Sequence, residues 1–445
     1  MNPLSRFRKI LVLPLVIALA LVVCPAPAEG QVNEVTHWND IAVRTLLAFP
    51  PLGGGAPPAQ QIDMAMTQGA VYDAVNAIEP MHQPYLLATR FDPNASKNAA
   101  TAAAAYRVLS NIVSTVPENI IFDRATLLER LTTEYNNSLN GIPPGPRDAG
   151  IAAGTAAADA MIAARHGEDV CPCADGRFGP SPWVPNYDPG HWQPLLNPNG
   201  TPQLDPTAWV ANVQPFLIQS PSQFRTDGPN ALTSADYAQD FNEVKALGSI
   251  NSVTRTPEQT HIALFWQSAG GNLRAWNEVA RNLVNQNATD FDGSALLFAK
   301  LNLSAADAAI NTWNDKYYWD FWRPWAAIQR ANEDGNPDTE PDSTWTALLT
   351  APYPDHPSGH VAGDGAYLEV LQSFFGDRTG FDVTSARFPG ELRHFDRFSV
   401  ALREIIDARV WAGLHFRTAD IQAKVLGRKV VHYMENHYFQ PIGSP

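Results

Sequence analysis

A chain of 445 residues with 45% hydrophobic and 17% charged content can bury a substantial core, which excludes a disordered or fibrous protein. Its formal charge of −14 excludes a surface built for nucleic acid or for an anionic membrane, since both partners require a basic face.

In chain order, the first predicted element is an export signal. Arg6, Arg8 and Lys9 precede an apolar run from Ile10 to Val23, and Ala26-Pro27-Ala28 supplies the small residues of a cleavage site. The run falls short of the roughly 20 residues of a membrane span. Residues 1–28 are therefore expected to be removed, leaving an exported protein, periplasmic or extracellular, with no stable span. That loss takes away three basic and no acidic residues, moving the formal charge from −14 to −17. Cys171 and Cys173 then remain, separated by one proline. A bridge so short is strained, and the pair lacks the further ligands of a metal site.

Helical periodicity predicts segments at Ile62–Ile78, Ala99–Val113 and Asp148–Arg165, the last two rich in alanine. From about 171 to 233 recurrent prolines rule out regular helix, while Trp183, Trp192 and Trp209 demand somewhere to pack. Helices resume at Ser234–Leu247 with Ser234 as a cap, and at Thr256-Pro257-Glu258 with proline in the first turn. A helix from Ser304 runs towards Trp322 and must end or kink at Pro324; Val361–Phe374 and Ser399–Ala412 follow. Persuasive strand alternation is scarce. The expected fold is all-α: a helical half over 29–233 with a proline-rich excursion at about 171–233, and a second helical half over 234–445.

The chemistry concentrates in the second half. Lys316 and Arg323 lie seven apart, two helical turns, so that one helix face can present both cations. Pro357-Ser358-Gly359-His360 joins a proline turn to a helix start, where exposed amides attract anions, Gly359 permits close approach and Ser358 adds a hydroxyl. His360 is placed to exchange a proton there. His356 and His360 have the spacing of a zinc-binding helix pair, but Pro357 and Gly359 between them argue against helix. Downstream, Arg409 supplies a second planar fork of donors and Gly413 frees the chain to turn His415 inward. Asp420 is placed to orient the other nitrogen of His415. Three cations, two imidazoles, a hydroxyl and an amide suit a tetrahedral oxyanion.

In order and spacing these segments resemble the superfamily of vanadium-dependent haloperoxidases, type 2 phosphatidic acid phosphatases and bacterial class A acid phosphatases. Its signature is K-x6-RP, then PSGH, then SR-x5-H-x3-D. This chain has Lys316 with Arg323-Pro324, then Pro357-Ser358-Gly359-His360, then Arg409 with His415. Tyr72-Asp73-Ala74-Val75-Asn76 and Ser220-Pro221-Ser222-Gln223-Phe224 look like the secreted haloperoxidase branch. Two positions depart from the pattern: Ala408 replaces the serine before Arg409, and Asp420 follows His415 after four residues instead of three.

The resemblance implies an all-α bundle fold and a vanadate cofactor bonded at His415 Nε2. It assigns Lys316, Arg323, Ser358, Gly359 and Arg409 to the oxyanion and makes His360 the acid–base group. Hydrogen peroxide and a halide would be the substrates and hypohalous acid the product, without haem or flavin. Trp313 and Tyr353 fall where haloperoxidases place aromatic residues beside the halide. A soluble acid phosphatase uses the same pocket on a phosphomonoester without a cofactor, with His415 forming a phosphohistidine and His360 protonating the leaving alcohol. A non-catalytic oxyanion-binding helical protein is the third reading.

Overall fold

The computed structural model describes residues 33–51, 55–118, 120, 122–166, 184–267 and 271–443. The expected export signal and Cys171 and Cys173 lie outside the described residues. The chain is all-α as expected, with one small exception, a β-hairpin.

Five helices precede the excursion: α1 (Glu34–Leu46), α2 (Pro57–Asn76), α3 (Lys97–Thr115), α4 (Arg124–Leu139) and α5 (Pro144–Ala164). Helix α2 is almost wholly buried, and the alanine faces of α3 and α5 let those two helices pack closely. Gly150 and Gly154 of α5 mark that contact, because a Cβ at either would meet the α3 backbone within 2.3 Å. The described part of the excursion, 184–233, holds a single 3₁₀ turn, Ala208–Asn212.

After it come α6 (Ala235–Leu247), α7 (Pro257–Trp266), α8 (Gly271–Gln286) and α9 (Phe291–Trp319). Ser234 caps α6 as expected, accepting from Tyr237 N, and Thr256 with Gln259 forms a capping box on α7. Then follow α10 (Pro324–Gln329), α11 (Gly359–Phe375), the hairpin strands β1 (Phe381–Ser385) and β2 (Phe388–Phe395), α12 (Phe398–Trp411) and α13 (Arg417–His437).

Helix α9 is the axis of the molecule. It packs against α2, α11 and α13, and one of its faces lashes down the excursion. Asp307 accepts from the backbone N–H groups of Phe216, Leu217 and Ile218 at 2.6–2.8 Å. One turn on, Asn311 accepts from Phe224 N at 3.0 Å, and one turn further Asp315 accepts from Thr226 N and Arg225 Nη1. A spacing of four residues puts the three acceptors on one stripe. The prolines that forbid helix in the excursion leave its amides without local partners, and α9 supplies them. Asp205 completes the attachment, accepting from Trp313 Nε1 at 2.9 Å and Tyr317 Oη at 2.7 Å. Among the described residues no helix is long and apolar enough to cross a membrane.

Candidate oxyanion site

The site forms where the end of α9, the start of α11 and the end of α12 meet. Lys316 and Arg323 do not share a helix face. Helix α9 stops at Trp319, Asp320 turns the chain in the left-handed conformation (φ 47°), and Arg323 arrives as the N-cap of α10. The left-handed turn at Asp320 ends the expected continuation towards Trp322, and Pro324 keeps Arg323 extended. Both cations are nevertheless fully buried, 0% exposed, so neither belongs to a solvated helix face.

Lys316 spends its three N–H groups on backbone carbonyls of one loop: Pro354 at 2.8 Å, Asp355 at 3.0 Å and Pro357 at 2.6 Å. Burial, helped by the nearby Arg323 charge, pulls its ammonium well below the usual lysine range. Its place is behind the cavity wall, where it fastens the loop that leads into α11 and contributes positive charge.

Arg323 donates from Nε to the Tyr353 carbonyl at 2.8 Å and from Nη1 to the Leu414 carbonyl at 2.7 Å. Nη1 also lies 3.3 Å from His415 Nε2. Its Nη2 is buried without a partner, and so is Arg409 Nε, although Arg409 Nη1 reaches Gln267 Oε1 at 2.8 Å. An unmatched buried donor costs about 1–3 kcal/mol, more when charged. Two unmatched guanidinium donors, one on an arginine against His415 and one on an arginine that lines the same cavity, are therefore the mark of a site built for an anion.

His415 is delivered by Gly413, which adopts φ +72° so that the chain turns sharply off α12. Its Nδ1 lies 2.9 Å from Asp355 Oδ1, off the axis of a linear hydrogen bond. Asp355, and not the expected Asp420, is thus the carboxylate at the second ring nitrogen. Burial pushes the Asp355 carboxyl up to about 7, while burial and then Arg323 and Lys316 hold the imidazole well below its usual range. A neutral ring with Nδ1 against a carboxylate keeps its proton there and leaves the lone pair on Nε2.

Asp420 sits instead beside Ser358. Burial raises its carboxyl well above the ordinary range, opposed in part by the Ser358 hydroxyl and Arg409. Ser358 is the N-cap of α11, its Oγ accepting from Val361 N at 3.4 Å. Helix begins at Gly359, which puts His360 in its first turn and leaves His356 outside. His356 Nε2 lies 3.1 Å from Thr226 Oγ1 of the excursion, so the two imidazoles do not form a helix pair. A Cβ at Gly359 would come within 2.6 Å of the Trp313 ring, so only glycine lets the helix start this close to that wall.

The cavity in front of these groups measures about 250 Å³. Gly359, His360, Arg409 and His415 line it, together with Trp313, Tyr353 and the carboxamides of Gln60, Gln61 and Gln267. The rings of Trp313 and Tyr353 meet at 5.2 Å between centroids, and Lys316 Nζ and the Arg323 guanidinium lie 5.2 and 5.1 Å from the Tyr353 ring. Four predicted residues and both predicted aromatics therefore reach the cavity surface. Arg323 stands directly behind His415, while Lys316, Ser358 and Asp420 lie deeper.

Sequence reasoning missed Asp355, Gln267, Asp205 and Asp364. Asp364 alone left a readable trace: it follows His360 by four residues on one helix, and its Oδ2 lies 3.2 Å from His360 Nε2. The other three reach the site from a turn, a helix end and a distant loop, which no spacing encodes.

Residues 296–443 match the family model of the VCPO second helical-bundle domain. The second helical half is thus similar to the helical-bundle domain of that family. It is 24% identical to the vanadium chloroperoxidase of Curvularia inaequalis, over 80% of this chain and 67% of that protein. Among solved structures it is similar to the first bacterial vanadium-dependent iodoperoxidase, with TM-score 0.74 and 24% identity over 92% of this chain and 97% of that one. It is also similar to a holo-type bacterial vanadium-dependent chloroperoxidase, with TM-score 0.67 and 17% identity over 89% and 95%. These likenesses carry the haloperoxidase fold across nearly all the described chain.

Proposed function

We propose that this protein is an exported vanadium-dependent haloperoxidase, oxidising a halide with hydrogen peroxide to hypohalous acid. The observation that carries this reading is the cavity shared by His415 and Arg409, with Arg323 Nη1 3.3 Å from His415 Nε2 and with Nη2 of Arg323 and Nε of Arg409 buried and unmatched. Those groups fit vanadate, which needs one nitrogen ligand and several convergent donors. When bound there, vanadate would supply a Lewis-acidic centre that activates peroxide without changing oxidation state.

The chain's own residues do the rest. His415 would bind through Nε2, with Asp355 keeping the ring proton on Nδ1. Arg323 and Arg409, with the amide end of α11 at Gly359, would hold the oxygens, and Lys316 would add charge from behind the wall. Oxidation of a halide by peroxide consumes one proton and releases one water per hypohalous acid formed. His360, 15% exposed at the cavity edge, is the group placed to pass that proton. Trp313 and Tyr353 form an apolar wall where a weakly hydrated halide would approach.

Purified protein assayed with orthovanadate, peroxide and bromide against a phenol dye tests the reading, beside a phosphomonoester without vanadate. Vanadate-dependent bromination that disappears in His415→Ala is the expected result. Ester hydrolysis inhibited by vanadate, with no halogenation, would show an acid phosphatase working through a phosphohistidine. Anion binding with neither activity would leave an oxyanion-binding protein.

A further inference from the structure

We propose that Asp364 is a positioning residue for His360, holding Nε2 of the imidazole and so fixing which ring nitrogen is left to exchange a proton with a reactant in the cavity. This rests on the reading of His360 as the acid–base group. Asp364 is fully buried on α11, where the side chains of Trp276, Asn272 and His360 meet its carboxyl group. Oδ1 accepts from the indole Nε1–H of Trp276 at 2.6 Å, and Oδ2 lies 3.2 Å from His360 Nε2 with no aligned hydrogen bond of its own. Trp276 is itself buried on α8 and stacks on Trp266, a cavity-wall residue, with ring centroids 6.0 Å apart. Asn272, one turn before Trp276, donates to the His360 carbonyl at 3.4 Å.

A carboxyl buried between α8 and α11 has a desolvation cost that packing alone does not require. Paired with an imidazole, it does what second-layer carboxylates do: it selects a tautomer and an orientation. With Nε2–H directed at Oδ2, the lone pair of His360 lies on Nδ1, away from α8.

The Trp276 contact makes the idea testable with a single substitution. In Asp364→Asn the indole N–H still requires an acceptor, so the amide oxygen stays with Trp276 and the NH₂ group faces His360. A donor against Nε2 forces the proton to Nδ1. Protein carrying ¹⁵N-labelled histidine is examined by long-range ¹H–¹⁵N NMR at pH 8 without vanadate, the His360 signals being assigned by their loss in His360→Gln. Wild type is expected to show the Nε2–H tautomer, Asp364→Asn the Nδ1–H tautomer, and Asp364→Leu a mixture. Turnover is expected to fall roughly 10–100-fold in Asp364→Asn, with vanadate affinity held within about three-fold.

An Nδ1–H tautomer in wild type overturns the proposal even if no variant folds, and so does an unchanged His360 signature in a folded Asp364→Asn. Because the NMR comparison needs no turnover, a wild type that has the Nε2–H tautomer but does not halogenate supports the positioning role and sinks the haloperoxidase reading alone.

Discussion

Gly359 has no spare room. Trp313 cannot retreat to admit a methyl group, because its indole is tied to Asp205 on the excursion. Gly359→Ala is therefore expected to cost about 1–3 kcal/mol in stability, as overpacked sites do. It should also weaken vanadate binding by at least ten-fold, since the added methyl group pushes the start of α11 out of place. Denaturant unfolding and a vanadate titration read the two effects separately. His356 offers a different test at the same scale. Burial and the Lys316 charge depress its imidazole to about 3, so the folded protein keeps it neutral where the unfolded chain, near 6.5, takes up a proton. The stability this contributes is complete above the unfolded value and lost as pH falls. His356→Gln, which keeps a partner for Thr226, should be more acid-resistant than wild type by roughly 2 kcal/mol at pH 5, given 1.36 kcal/mol per unit. Unfolding midpoints of the two proteins across pH 7 to 5 provide the check: parallel curves would refute it.

At this scale the three motifs made His360, His415, Arg409 and Gly359 legible, because each residue type announces its chemistry and the intervals between them are fixed. Asp355 and Asp205 were not legible. An aspartate in a turn reads as a turn former, and its function as a partner for His415 or Trp313 exists only once distant segments meet.

Among the elements, α9 carries the most. Its stripe of Asp307, Asn311 and Asp315 holds the strap 216–226, and its other side meets α2, α11 and α13. Removing the first clamp strands three buried amides at once. Asp307→Ala is expected to lower stability by roughly 3–5 kcal/mol, whereas Asp307→Asn, which keeps an acceptor oxygen, should lose less. Urea denaturation of both variants checks the order. The elements also show where periodicity succeeds. The sequence located α2, α3, α5, α6, α11 and α12 to within a few residues because an apolar or alanine face repeats along each. It passed over α1, α4, α8 and α13. Helix α4 buries only Leu127 and Leu131, and α13 begins without a side-chain cap, so neither offers a broad apolar stripe and a start signal together. The hairpin went unseen because β1 alternates over just five residues, Phe381, Val383 and Ser385 facing in.

For the molecule as a whole, the proline-rich excursion is an integral part of the site. It reaches across α9 to brace Trp313 through Asp205 and to touch His356 through Thr226, so a segment some 110 residues upstream in sequence shapes the wall of the cavity. The all-α class followed from composition and period. The lashing did not, since the partners of a segment without internal hydrogen bonds are set by tertiary contact alone. Lys316 draws these levels together. Its ammonium is sealed from solvent and held by three carbonyls. Whenever the loop at 354–357 lets go, that amine becomes open to acylation. Modification of Lys316 is therefore expected to report on the breathing of the cradle. Its rate of modification by an amine reagent, followed by mass spectrometry of the peptide that carries it, should count openings that leave every other lysine unchanged, and should slow when an oxyanion is bound.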